Sequence, residues 1–213
     1  MLELRVYTKA ELAAIFKTTD RQGLTRKMQR YGIRYEVSGR GDRATFNILE
    51  TADPFKVFCI DELGFDGRTQ FSKLRDFLYY FLNDDEFRAM PDEVKAQRLD
   101  KDGKYMCRQT IAKYIAKLDK LDIVKYDTNE FVYYFAYKGT QRIASREEYS
   151  TAWKQYWADK ARGEDTFGAI WNMRFKHGGV ARKQAVPKIN GIYAEKMHQL
   201  NTIICESIEN DLG

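Results

Sequence analysis

The residues best suited to chemistry lie in one ten-residue stretch. Arg21, Gln22, Thr25, Arg26, Gln29 and Arg30 fall off an apolar stripe of Leu24, Met28 and Tyr31, spaced i, i+4, i+7. Arginine can pair bidentately with guanine, glutamine can do the same with adenine, and threonine can meet a thymine methyl or a phosphate. Ten residues on, Arg40 and Arg43 suit phosphate or a narrow minor groove. A second set, Arg108, Gln109 and Thr110, opens a helix whose polar side continues through Lys113 and Lys117. A third set is Arg182 and Lys183. They sit in a basic run from Asn172 to Asn190 whose centre, His177 to Lys183, reads as a glycine-bearing loop. Its amides and cations could hold phosphates. A plain solvated loop fits the same letters.

Patterns that would do bond-making chemistry do not hold together. Gly39-Arg40-Gly41-Asp42-Arg43-Ala44 has the letters of a dinucleotide fingerprint, but that motif follows a strand and opens a helix. Here a strand follows. Pro91-Asp92-Glu93-Val94-Lys95 has nuclease-like letters, but adjacent acids at a helix start do not converge on a metal, and capping explains them better. Asp100-Lys101-Asp102-Gly103 lacks the third ligand of a calcium loop, and Ile111 stands where the twelfth-position Glu belongs. His177, His198 and three scattered cysteines have no zinc spacing. Neither a phosphate-binding lysine loop nor a Ser/His/Asp set can be assembled. The expectation is a protein without catalytic residues, metal or cofactor.

The positioning elements can be read around the first set. Thr8 and Glu11 form a capping box ahead of the apolar run Ala10 to Phe16. Thr18-Thr19-Asp20 breaks that helix and offers new caps. The second helix runs from Arg21 to Tyr31, and Gly32 ends it. Ile33 to Ser38 and Arg43 to Leu49 alternate as strands, with Gly39 to Asp42 as the hairpin tip. Helix, turn, helix, hairpin is the order of a winged helix-turn-helix. Between Arg5 and Arg43, 10 Lys/Arg stand against 4 Asp/Glu, a net +6, more than the +5 of the whole chain. Positive charge concentrated in this way is the footprint of a nucleic-acid binder.

Thr8-Lys9-Ala10-Glu11-Leu12-Ala13-Ala14, followed by Arg26-Lys27-Met28-Gln29-Arg30-Tyr31-Gly32-Ile33, resembles the two-helix winged modules of phage excisionases and related regulator head domains. In that family the second helix enters the major groove and the wing touches backbone or minor groove. The aromatic residue usual inside the family's second helix corresponds to Met28 or Tyr31 here. Residues 108–115 with Leu118 resemble recognition helices in winged domains of phage and plasmid replication initiators and primosome proteins.

Further along, Glu50 to Pro54 reads as a joint and Phe55 to Ile60 as a strand. Phe71, Leu74, Phe77, Leu78, Phe81 and Leu82 make a core helix. Proline and two acids open a short helix at Met90 that runs to about Leu99, and residues 100–104 form a loop. After the helix Arg108 to Leu121, a hairpin is expected: Ile123 to Tyr126, a turn at 127–129, then Phe131 to Tyr137. Residues 71–137 would thus form a second winged module. Lys138 to Ala144 is a connector. Ser145 and Glu148 cap a helix to about Ala161, and another short helix carries Phe167 to Phe175. Ile189, Tyr193, Met197, Leu200, Ile204 and Ile208 step at helical spacing. That stripe either packs on the chain's own core or pairs with a second copy as a homodimer.

Of the 213 residues, 44% are hydrophobic, enough for a core, and 31% are charged. Mean hydropathy is −0.60. No apolar run approaches membrane-spanning length, and Met1 to Arg5 lacks a signal-peptide core. Cys59, Cys107 and Cys205 are too scattered for a disulfide framework, so a cytoplasmic protein is expected. The resulting expectation is an α+β chain with two winged helix-turn-helix modules and a helical C-terminal region. Its divisions would be 1–50, 51–70, 71–140 and 141–213. The resemblances imply a double-stranded DNA-binding protein of a phage, plasmid or other mobile element, a transcriptional regulator or replication initiator. The alternative is a protein-binding inhibitor or adaptor that docks on a host nucleoprotein, such as an RNA-guided nuclease.

Overall fold

A computed structural model describes residues 2–18 and 20–212. The fold is mixed α+β, with two small antiparallel sheets and ten helices among the described residues. The chain forms two compact units, Met1–Ser72 with Thr202–Gly213, and Lys73–Asn201.

The first unit begins with β1 (Val6–Thr8), α1 (Lys9–Ile15) and α2 (Arg21–Arg30), followed by β2 (Arg34–Ser38) and β3 (Thr45–Glu50). The sheet order is β1-β3-β2. The capping box forms as expected: the Glu11 amide donates to the Thr8 hydroxyl, and the Glu11 carboxylate accepts from the Thr8 amide. These bonds hold the Glu11 carboxyl below the usual range. Asp20 caps α2 by accepting from the amides of Gln22 and Gly23. Gly32, at φ +74°, takes the left-handed turn that ends this helical segment. Leu12, Leu24, Met28, Phe46 and Ile48 bury the two helices against the sheet. The hairpin reaches Glu50, with a short 3-10 turn at Gly41–Arg43 in its tip.

Residues 55–60 are not a strand. They lie in α3 (Pro54–Asp61). Asp53 accepts from the amides of Phe55 and Lys56, proline fills the first helical position, and Phe55, Cys59 and Ile60 share the buried side.

The second unit contains most of α4 (Phe71–Asn83), then α5 (Asp85–Ala89), α6 (Asp92–Lys101) and α7 (Arg108–Lys120). A sheet of order β5-β4-β6 follows: β4 (Val124–Tyr137), β5 (Thr140–Ala144) and, after α8 (Arg146–Ala161) and α9 (Thr166–His177), β6 (Val180–Ile189). Helices cover both faces. Gln184 donates to the carbonyls of Ala89 and Met90 on the side of α5. On the other side Phe135 and Ala181 pack with Ala152, Tyr156, Ala169 and Met173 of α8 and α9. Buried Asp159 ties those two helices together, accepting from Gln155, Arg162 and Asn172.

Three expectations fail in this unit. Residues 127–129 are not a hairpin tip: β4 runs straight through, with a register break between Asp127 and Phe131. Asp127 accepts from the Asn129 amide, which gives a bulge the letters of a turn. The tip is instead Lys138-Gly139, inside the expected connector. The run from His177 to Lys183 is not a loop either. Gly178 caps α9 at φ +75°, Gly179 follows, and β6 begins at Val180. Finally, Ile189 ends β6 opposite Val124, and the last helix, α10 (Ala194–Leu212), starts five residues later. Met197, Leu200 and Ile204 on its stripe are buried within the chain. No helix among the described residues is long and apolar enough to cross a membrane.

Candidate nucleic-acid interface

In the first unit the exposed side of α2 presents Gln22, Arg26, Gln29 and Arg30, with Thr25 half-buried beside them. The Arg21 side chain lies outside the described residues. Two contacts set the helix. Lys27, also off the apolar stripe, turns back to donate from Nζ to the Phe16 carbonyl at 2.6 Å, tying α2 to the end of α1. Tyr31 donates to the Asp61 carboxylate at 3.1 Å and so anchors the other end on α3. The hairpin tip is tied to α1 by Lys9, whose ammonium meets Asp42 at 2.8 Å. That bond keeps the Asp42 carboxyl below its usual range. The pair neutralises one acid at the tip and leaves Arg40 and Arg43 exposed.

Arg26, Arg30, Arg40 and Arg43 make no ion pair among the described residues. Sequence reasoning missed Arg68, which shares a shallow concavity of about 480 Å³ with Gln29, Arg30 and Asp66. It lies in a glycine-bearing loop with no periodic signal.

The second unit sorts its candidates differently. Arg108 and Arg182, 74 positions apart, line one cleft of about 520 Å³ together with Tyr137, Lys138, Trp171 and Arg174. None of the lining residues is acidic. The Arg108 Nε is 4.0 Å from Glu93, a loose pair at the margin. Lys183 is not in the cleft. It follows Arg182 on a strand, so it points to the opposite face, where Nζ sits 4.3 Å from the centre of the Phe131 ring. Gln109 borders a neighbouring hollow with Tyr105 and Cys107. Thr110 is half-buried, its hydroxyl 3.2 Å from the Cys107 sulfur. Lys113 and Lys117 lie further along α7 and line neither hollow.

Among the described residues, no group of three or more His, Cys, Asp or Glu is placed to hold a metal ion. Asp92 and Lys95, the nuclease-like letters, form a pair 3.8 Å apart at the start of α6, the lysine buried and the aspartate half-buried. Comparison with family models, with characterised proteins and with solved structures gave no match.

Proposed function

We infer that the chain is a non-enzymatic double-stranded DNA-binding protein of a phage, plasmid or other mobile element, a transcriptional regulator or replication initiator. In this reading β1 to β3 with α1 and α2 form a winged helix-turn-helix. Its second helix enters the major groove, and the tip of the β2–β3 hairpin is the wing. Residues of α6 and α7 with the β4–β5 hairpin form a second winged module, whose wing tip is Lys138-Gly139; the duplex contacts of this reading are those of the first module. One observation carries the reading. The exposed side of α2 offers two arginines and two glutamines whose polar ends make no ion pair or side-chain hydrogen bond among the described residues, while Lys9 engages the Asp42 carboxylate beside the hairpin arginines. The mobile-element origin rests on the excisionase-like letters of residues 8–33.

A mobility shift on mixed-sequence duplex DNA across a salt series tests this. Log affinity is expected to fall linearly with log salt, by about 0.9 per phosphate contact. Arg40→Ala should weaken binding on every sequence and flatten that slope. Arg26→Ala should also relax preference at one base position, since a bidentate pair discriminates by roughly 1–3 kcal/mol. Absence of a shift at low salt, with a host protein co-purifying, would establish the inhibitor or adaptor reading instead.

A further inference from the structure

α9 is amphipathic in an unusual sense. Its buried side is small, Ala169 and Met173, while its large rings face out. Phe167 is 70% exposed, Trp171 54% and Phe175 85%. They step at i, i+4, i+8, so they share one side and span about 12 Å along the axis. The Phe167 and Trp171 rings are stacked, with centroids 6.3 Å apart and planes 22° from parallel. Three rings left in water on one helix mark a surface that something covers.

The basic cleft adjoins this row. A second hollow of about 270 Å³ is lined by Tyr137, Trp171, Arg174, Phe175 and Gly178, and it shares the first three with the cleft. Arg174 stands where the two meet. Its Nε is buried without a hydrogen-bond partner among the described residues, and its guanidinium carbon lies 5.8 Å from the centre of the Tyr137 ring. Lys138 sits over the same ring at 5.3 Å. Arg108, Lys138, Arg174 and Arg182 line one cleft with no carboxylate among the lining residues, so the charge of the cleft suits an anionic ligand.

We propose that this site binds single-stranded nucleic acid. Bases stack on Trp171 and Phe175, and phosphates lie along Arg108, Lys138, Arg174 and Arg182, which line the cleft with Tyr137. A duplex does not fit the observations, because its bases already cover one another's faces and leave the rings unused. An unpaired strand offers a face to each ring and a phosphate to each cation. The inference stands on the second unit alone and does not depend on α2.

The test uses the full chain and a labelled oligothymidine of about 20 nucleotides, followed by fluorescence anisotropy, with mixed-sequence duplex DNA in parallel. Trp171→Ala should lower single-strand affinity about tenfold or more, the usual effect of losing a stacked base. Trp171→Phe should keep most of it, and duplex affinity should not move in either variant. Arg182→Gln should flatten the single-strand salt slope by about 0.7. Circular dichroism melts check that each variant folds. The proposal is overturned by any of three results: no single-strand binding at low salt, single-strand binding lost in Arg26→Ala and intact in Trp171→Ala, or equal displacement by heparin with no sensitivity to Trp171. Loss of duplex binding with single-strand binding intact would sink the α2 reading and leave this one standing.

Discussion

Lys95 is 1% exposed, and its ammonium donates to the Met90 carbonyl, with Asp92 at 3.8 Å. Burial pushes its pKa down to about 8, and the Asp92 charge offsets only part of that. Burial also pushes the Asp92 carboxyl up. The unfolded chain keeps the lysine proton to near its ordinary 10.5. Between pH 8 and 10.5 the unfolded state therefore binds more protons, and stability rises with pH. At neutral pH the penalty is on the order of 3 kcal/mol. Lys95→Met should accordingly match or exceed the natural chain at pH 7, since Gln184 still donates to the Met90 carbonyl. Its advantage should shrink by pH 10. Parallel denaturation profiles from pH 7 to 10 would contradict this. Gly179 supplies a second case. A Cβ there would lie 2.9 Å from the Ala136 nitrogen and 3.1 Å from its carbonyl oxygen, which are backbone atoms that cannot swing aside. Gly179→Ala should cost roughly 1–3 kcal/mol in a denaturant melt. The glycine was legible as a loop residue, and its reason, a strand passing close behind it, was not.

Helix ends were the most legible elements, because caps are local. Thr8 with Glu11, and Ser145 with Glu148, fall where their letters put them. Thr8→Ala should cost about 1 kcal/mol, read as a lower melting temperature. It should also weaken duplex binding, since α1 carries the Lys9 that holds the hairpin tip; unchanged binding would detach α1 from that role. Asp53-Pro54 was an equally good start signal, but the run behind it is apolar on too many sides for periodicity to separate helix from buried strand. β4 failed for the opposite reason. Its partner β6 begins 43 positions after it ends, and only that pairing carries the strand through Asp127 and Asn129.

The two units reach into one another's sequence. Residues 202–213 belong with 1–72, and 141–201 belong with 73–140. Residues 70–201 expressed alone should melt in one cooperative transition. Residues 1–72 alone lack Ile204, which is fully buried, and should melt below the first transition of the intact chain. Equal melting would show that 202–213 adds nothing to that unit. Ile204→Ala should cost about 2–5 kcal/mol. By itself, the sequence determined whatever is decided within a few residues: the caps, the end of α2 at Gly32, the apolar stripes, the basic face of α2 and the hairpin arginines beside it. Tertiary structure alone decided what depends on distant pairings. It placed Arg108 with Arg182, turned Lys183 to the far face and brought Tyr137 against Arg174. The physical reason is that side-chain direction on a strand is set by the partner it pairs with, and here that partner arrives only after two intervening helices.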